Sequence, residues 1–203
     1  MVNLPFIHRK NKKHEITKGR NRYFVLFCFV LVLLIIIQYY RLNNERTADI
    51  TSPTTYNKEG LSFSYPGNWK IIEDKGQGDI RCIFIESPGN AVFVIQTCPN
   101  QEAIPLQQFA EQFPEIAQQE TLFSSIGTSS FSDLEKSERS GGRYGVQEEF
   151  SSKALGIQRQ YIRRYYFVTN DTQTAYLISQ VATADLSKVK AGFGLILNSL
   201  LLK

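Results

Sequence analysis

The longest apolar stretch of the chain runs from Tyr23 to Tyr40 and contains no charged residue. As an α-helix, these residues would span roughly 27 Å, close to the ~30 Å thickness of a bilayer's hydrocarbon core. Tyr23, Tyr39 and Tyr40 stand where aromatic rings favour the two membrane interfaces. The pattern therefore predicts one transmembrane helix over residues 23–40.

A cleaved signal peptide is the competing interpretation, because its apolar region also follows a basic segment. The sequence from Gln38 to Leu42 offers no small residues at which cleavage would occur. Cys28 follows Leu26 and Phe27, whereas a lipoprotein cysteine would follow small residues at the end of the apolar run. We therefore favour an uncleaved anchor.

Basic residues are concentrated before this stretch. Residues 1–22 carry seven Lys or Arg and one Glu, whereas residues 41–203 carry sixteen basic and eighteen acidic residues. The positive-inside rule predicts a cytoplasmic N-terminus and a C-terminal domain outside the cytoplasm, in a periplasmic, extracellular or lumenal space. Topology already explains the basic tail, so we expect no nucleic-acid partner.

The chain after the predicted span changes from polar to patterned. Residues 41–57 are polar, contain Pro53 and show no sustained apolar period, which is typical of a linker. We therefore divide the chain into a cytoplasmic tail (1–22), a transmembrane helix (23–40), a linker (41–57) and an external globular domain (58–203).

Short runs of β-branched and aromatic residues, separated by turn residues, predict an antiparallel sheet in the external domain. Two of these strands, 80–86 and 91–97, are joined by Ser87-Pro88-Gly89-Asn90 and should form a hairpin. Both are apolar at nearly every position, so we expect them to be covered on both faces. The other predicted strands are 61–65, 69–73, 144–151, 157–168 and 174–182.

Two segments have the apolar spacing of amphipathic helices. The first begins at Pro105 and should end or kink at Pro114, and the second follows Asp185, which we expect to cap it. The predicted fold class is therefore α+β, an antiparallel sheet with helices packed against it. The apolar stripes are Leu106, Phe109, Ala110, Phe113, Ile116 and Ala117 in the first helix, and Leu186, Val189, Phe193, Ile196, Leu197 and Leu200 in the second.

Two motifs at the ends of the external domain resemble those of PsbP-like domains. The opening Tyr56-x-x-x-Gly60-Leu61-x-Phe63-x-Tyr65-Pro66-x-x-Trp69 is similar to their Gly-Phe-x-Phe-x-Tyr-Pro-x-x-Trp start. The closing Phe193-x-x-Ile196-Leu197-x-Ser199-Leu200 is similar to their last helix, with Leu200 where phenylalanine is usual. The resemblance covers about residues 56–203.

The resemblance implies an antiparallel sheet between helices and a non-catalytic accessory or binding module, here behind a membrane anchor. The best-known member of the family is an extrinsic lumenal subunit of photosystem II. A photosystem II-associated role is therefore the alternative if the host is photosynthetic. Because one fold serves many functions, the resemblance constrains the fold more than the function.

Catalytic and metal chemistry is restricted by the positions of the two histidines, His8 and His14, which both precede the predicted span. The external domain therefore lacks a Ser-His-Asp or Cys-His arrangement and a His-ligated zinc site. We expect no catalytic, cofactor-binding or metal-binding residues and no cofactor. An enzyme would have to bring the carboxylate pairs Glu73-Asp74 and Glu148-Glu149 into one pocket.

Arginine and aromatic residues are interleaved from residue 159 to 167. On a strand, alternate side chains share one face, and arginine and tyrosine are enriched at protein interfaces. The sequence thus predicts a contact surface for an envelope or membrane protein. The alternative is a sheet face on which arginine stems cover tyrosine rings without a partner. The candidate contact residues are Arg159, Tyr161, Arg163, Arg164 and Tyr165.

Two further features leave alternatives open. Cys82 and Cys98 would form a disulfide only if the hairpin register allows it, and otherwise remain two thiols. An apolar ligand or peptide could be carried between the sheet and the helix over residues 106–117, if volume there is unfilled. Asn170-Asp171-Thr172 is a glycosylation acceptor pattern in hosts that glycosylate exported proteins.

Overall fold

A computed structural model of the protein describes residue 30 and residues 45–120, 130–133, 143–154 and 157–203. Among these residues, no helix is both long and apolar enough to cross a membrane. The predicted transmembrane helix over residues 23–40 lies outside the described residues, apart from Val30. The chain divides into two compact units, Met1–Arg41 and Leu42–Lys203, and the second is described below.

The second unit contains ten strands and two α-helices in its described part. In chain order, the elements are β1 (Thr54–Lys58), β2 (Leu61–Tyr65), β3 (Lys70–Gln77), β4 (Ile80–Glu86), β5 (Val92–Pro99), α1 (Leu106–Glu120), β6 (Ser130–Asp133), β7 (Gly145–Ala154), β8 (Ile157–Thr169), β9 (Gln173–Ala182), α2 (Leu186–Ser199) and β10 (Leu201–Leu202). Short 3₁₀ turns, Asn100–Glu102 and Thr183–Asp185, follow β5 and β9.

The strands form two antiparallel sheets. The main sheet has the order β3-β4-β5-β9-β8-β7-β6, and the small sheet has the order β1-β2-β10. An antiparallel sheet with helices packed against it confirms the predicted α+β class. The sequence prediction missed β1, β6 and β10, which are short or polar.

Apolar side chains fill both faces of the main sheet. On one face, Phe93 and Ile95 of β5 join the small sheet and the stripe of α2 in a single cluster. On the other face, Val94 and Cys98 of the same strand pack with the stripe of α1. This arrangement confirms the prediction that the 91–97 strand is covered on both sides. In the 80–86 strand, Ile83 and Ile85 are buried on one face, whereas Phe84 on the other face is only partly buried.

The register of the β4–β5 hairpin decides the question of the disulfide. Glu86 pairs with Val92, and Cys82 lies opposite Gln96. Cys98 is two residues further along β5, so it shares a face with Cys82 but only diagonally, at a separation of roughly 7 Å. A disulfide needs Cβ atoms about 3.8 Å apart. Of the two alternatives that the sequence left open, the Cys82–Cys98 bridge is accordingly not formed.

The segment predicted as a linker is partly folded onto the domain. Glu45 and Ala48 are buried, and the backbone N–H of Ala48 donates to the carbonyl of Lys188 at 3.0 Å. Residues 54–58 form β1, in which Tyr56 is buried. Polar composition suggested a tether here, but the contacts that hold this segment come from distant parts of the chain.

The two helices differ from their predicted ends. Helix α1 continues past Pro114 to Glu120, although proline was expected to end or kink it. Asp185 precedes α2, but its carboxylate makes no capping bond to the helix backbone. It accepts instead from Asn90 Nδ2 at 3.1 Å and from Lys188 Nζ at 2.8 Å. The apolar stripe of α2 is buried as predicted, except that Leu186 is only partly buried.

Candidate functional site

An open cleft of about 520 Å³ lies between the β1–β2 turn and the β3–β4 turn. The β1–β2 turn is held in a left-handed backbone conformation, with φ of 49° at Glu59 and 77° at Gly60. Glycine suits the second position, and the carbonyl of Gly60 also accepts from the backbone of Lys203 at 2.8 Å. The cleft is lined by Lys58, Glu59, Leu61, Asp74, Gly76, Gly78, Asp79, Ile80, Arg81, Thr97 and Gln173.

Arg81 connects the strands around this cleft. Its Nε and Nη2 donate to the two carboxylate oxygens of Asp74, at 2.9 and 3.0 Å. Nη2 also donates to the hydroxyl of Tyr56, which in turn donates to Asp74 Oδ2 at 2.7 Å. Nη1 forms an ion pair with Glu59 at 2.8 Å. A single guanidinium thus joins β4 to β3, to β1 and to the β1–β2 turn.

These hydrogen bonds, together with the burial of Tyr56, move the pKa values of Asp74, Arg81 and Tyr56 further from neutral pH. Donation from Arg81 lowers the pKa of Asp74, and the same bond raises the pKa of Arg81. Burial, followed by its hydrogen bond to Asp74, raises the pKa of Tyr56 to about 12. A general acid or base works best when its pKa lies near the operating pH. This cluster is therefore suited to hold a fixed charge pattern rather than to exchange protons.

The rim of the cleft carries the groups that a partner could reach. The side chains of Lys58 and Glu59 are 64% and 77% exposed, and Asp79 and Ile80 are exposed on the opposite rim. Pockets for small molecules are usually lined mostly by apolar side chains, whereas charged and polar residues predominate in this cleft. The arrangement can orient a polar surface or ligand through charge and hydrogen bonding.

The strand predicted as a contact surface has its central side chains in the interior. Tyr165 is fully buried and Arg163 is 7% exposed, beneath α1. Arg163 Nη1 donates to Glu148 Oε2 at 2.9 Å, and the hydroxyl of Tyr165 donates to the same oxygen at 2.6 Å. Arg163 Nε also donates to Gln180 Oε1 at 2.8 Å. The prediction that Arg163 and Tyr165 are accessible contacts is wrong because α1 covers this face.

Aromatic rings enclose the same arginine. The guanidinium carbon of Arg163 lies 4.6 Å from the ring centroid of Phe150 and 5.4 Å from that of Phe113. Burial raises the pKa of Tyr165 above its ordinary value. Stacking with aromatic faces favours a cation in a site that water does not reach. The alternation of arginine and aromatic residues therefore builds an internal cluster.

The other candidate contact residues fall into two groups. Arg164 is buried on the opposite face, where its Nε donates to Gln147 Oε1 at 2.9 Å. Arg159 and Tyr161 are partly exposed, and the Tyr161 ring stacks on Phe150 at 5.5 Å. Of the predicted contact residues, these last two alone retain the accessibility that a partner would need.

Close packing occupies the space considered for an apolar ligand. Phe109 of α1 stacks on Tyr176 with ring centroids 3.9 Å apart, and Phe113 meets Tyr165 edge-on at 5.8 Å. Ala110, between them on the helix, is fully buried. Side chains already in contact leave no room for a ligand-sized molecule. This interface is therefore part of the core.

The carboxylate pairs lie far apart in the main sheet. Glu73 and Asp74 are on β3, whereas Glu148 and Glu149 are on β7, five strands away. At ~4.8 Å per strand, this separation is roughly 24 Å. Glu148 is buried against Arg163, and Glu149 is exposed. The pairs do not converge in one pocket, which a carboxylate-based hydrolase would require.

Of the residues that line the cleft, the sequence analysis named Asp74 in a carboxylate pair and Leu61 in the family motif. Arg81 was the detectable signal, because it is the one cation of a strand that is apolar from Cys82 to Ile85. An ionised residue in such a strand needs a partner. Tyr56 belonged to the family motif, but its partners Asp74 and Arg81 depend on how the two sheets meet.

Comparisons with known proteins yield structural similarity alone. No family model matches the chain, and no curated protein matches it. The solution structure of cyanobacterial PsbP from Synechocystis aligns at a TM-score of 0.45 with 14% identity, over 76% of this chain and 94% of that one. PsbP is thus among the solved structures to which the chain is similar.

A second similar structure is LpqN of Mycobacterium tuberculosis, a protein involved in cell envelope biogenesis. It aligns at a TM-score of 0.37 with 12% identity, over 75% of this chain and 90% of that one. A Bacteroides thetaiotaomicron protein aligns at a TM-score of 0.41 with 12% identity, over 73% of this chain and 48% of that one.

Proposed function

We propose that the protein is a membrane-anchored, non-catalytic accessory module that binds an envelope or membrane component through its external domain. Residues 23–40 would provide the anchor, as their length and flanking charges predict. The domain would then lie outside the cytoplasm. The partner would be a protein that presents a polar surface with complementary charge.

The group formed by Arg81 with Asp74, Tyr56 and Glu59 is the observation that carries this proposal. It fixes Asp74 and Arg81 in the lining of a cleft whose rim exposes Lys58 and Glu59. Binding is favoured when polar groups are held in place before the partner arrives, because less freedom is lost on association. Groups whose pKa values lie away from neutrality keep the same charge pattern throughout the physiological range.

The test is crosslinking of the full chain in intact membranes, followed by identification of the proteins captured. A Glu59→Asn/Asp79→Asn variant changes the rim but retains every lysine, so amine crosslinking chemistry is unaffected. Asparagine also tolerates the left-handed backbone at Glu59. The matched control is Glu102→Asn/Glu111→Asn, two exposed carboxylates outside the cleft lining.

A specific partner that the wild type and the control capture, and the rim variant loses, would support the cleft as the contact. A partner that the Glu59→Asn/Asp79→Asn variant retains but an Arg159→Ser variant loses would instead support a contact through Arg159 and Tyr161, the accessible candidate residues of β8. If no specific partner is captured by any of these chains, the accessory-module proposal fails.

A further inference from the structure

Residues 45–52, the strap, lie along the domain without joining either sheet. Four hydrogen bonds to its backbone hold its middle, one of them from Asn68 Nδ2 to the carbonyl of Thr47 at 2.9 Å. The N–H of Ala48 donates to the carbonyl of Lys188, and that of Asp49 donates to Asn68 Oδ1 at 2.9 Å. The N–H of Gly67 donates back to the carbonyl of Asp49 at 2.9 Å. The strap is therefore bound much as an extended peptide binds in a groove.

The first residue of the strap is held by its side chain. Glu45 is 4% exposed, and its Oε2 accepts from Ser87 Oγ at 2.8 Å and from the backbone N–H groups of Asn90 and Ala91 at 2.7 and 2.9 Å. Converging N–H and hydroxyl donors favour an anion. The β4–β5 loop thus forms a binding site for one carboxylate.

Glycines make room for the strap along its length. A Cβ on Gly89 would lie 2.6 Å from Glu45 Cα, and one on Gly192 would lie 2.8 Å from Ala48 Cβ. A Cβ on Gly67 would overlap the carbonyl of Ser52. The groove is consequently shaped for these backbone positions. By contrast, a Cβ on Gly194, which like Gly192 is part of α2, would have no atom within 4 Å.

Trp69, the single tryptophan of the chain, borders this groove. Its ring atom Cζ2 lies 3.0 Å from the position that a Cβ on Gly192 would occupy. That same position is 2.8 Å from the Cβ of Ala48, so the Trp69 ring lies close to the strap. The residue is 4% exposed, and its indole N–H has no hydrogen-bond partner within the described part of the chain. A buried donor without a partner is unfavourable, so packing, including an edge-on contact with Phe193, holds the Trp69 ring here.

The strap contributes little apolar surface to the core. Glu45 and Ala48 are its buried side chains, whereas Arg46, Thr47 and Ile50 are exposed. Segments with few buried apolar contacts open locally at lower free energy than the whole domain. We propose that the groove is a binding site for an extended peptide with a carboxylate followed three residues later by a small side chain. The strap occupies this site in cis, as a latch that can dissociate from the groove while the rest of the domain stays folded.

The experiment uses the full chain in detergent micelles and follows Trp69 fluorescence. Glu45→Ala removes the carboxylate, and Gly89→Ala displaces Glu45 from the groove side while leaving the strap sequence intact. Both variants should show a red-shifted emission, stronger acrylamide quenching and new tryptic cleavage after Arg46. Far-UV circular dichroism should stay unchanged. Gly194→Ala is the matched control and should behave as the wild type.

A synthetic peptide of residues 42–53 then tests the groove in trans. Added to the Glu45→Ala chain, it should restore shielding of Trp69 in a saturable manner, and the same peptide with Glu45→Gln should bind more weakly. Unchanged quenching in both variants would overturn the latch. Loss of the whole far-UV spectrum in both would show that the strap is an inseparable part of the fold, and failure of the peptide to restore shielding would overturn the binding site.

Discussion

The buried ion pair between Glu148 and Arg163 allows a quantitative test of the interior. Glu148 is 1% exposed, and its Oε2 accepts from Arg163 and from Tyr165. Arg163→Met retains much of the apolar volume but leaves a carboxylate without its cation. Breaking a buried pair from one side destabilises a protein by about 3–5 kcal/mol. At ~2–4 °C per kcal/mol for a domain of this size, we expect Tm to fall by roughly 6–20 °C.

The double variant Glu148→Leu/Arg163→Met removes both charges and should recover most of this loss, because apolar replacements of buried pairs are often neutral or stabilising. Glu149→Gln, at the exposed neighbouring position, is the control and should stay within about 0.5 kcal/mol of the wild type. Thermal unfolding followed by Trp69 fluorescence measures all three. A single variant as stable as the wild type, or a double variant no better than the single, would refute the reasoning.

Three further outcomes are expected. Tyr56→Phe should remove a tyrosinate absorbance step near pH 12. The difference in unfolding free energy between wild type and variant should also disappear as pH rises from about 10 towards 12, because the raised pKa of Tyr56 favours the protonated hydroxyl in the folded state. Gly192→Ala should destabilise the domain by about 1–3 kcal/mol through overpacking, whereas Gly194→Ala should be neutral or stabilise it by up to about 1 kcal/mol, as thermal denaturation would reveal. Mass spectrometry of the chain, unfolded without reductant and then alkylated, should find both Cys82 and Cys98 modified, and a disulfide-linked peptide would contradict the β4–β5 register.

Local patterns predicted the central strands and the helices. β4 and β5 are apolar at nearly every position, a pattern that indicates strands in the interior of a sheet. β1 escaped prediction because Tyr56 is its one buried residue, and its partners are β2 and two distant charged side chains. The strap was likewise not predicted, because its contacts also come from distant parts of the chain. The acidic residue that holds it looks like any solvated glutamate until the loop over residues 87–91 folds against it.

The candidate sites illustrate the same limit. Strand alternation correctly grouped Arg163 and Tyr165 on one face, but it could not tell whether a helix covers that face. Placing α1 over β7 and β8 depends on tertiary packing between segments far apart in the chain. The cleft required the meeting of two turns, at Glu59 and at Asp79, which no local pattern encodes.

The last strand closes a sheet that the first strands begin. Leu201 and Leu202 pair with Ser62 and Leu61, and the hydroxyl of Ser199 accepts from the backbone N–H of Ser64 at 2.8 Å. Such contacts join segments more than a hundred residues apart, and long-range pairing slows folding. During synthesis, the small sheet is complete only after residues 201 and 202 have joined it. Until α2 has folded, Leu61 and Phe63 lack their covering helix, and exposed apolar residues of this kind promote aggregation.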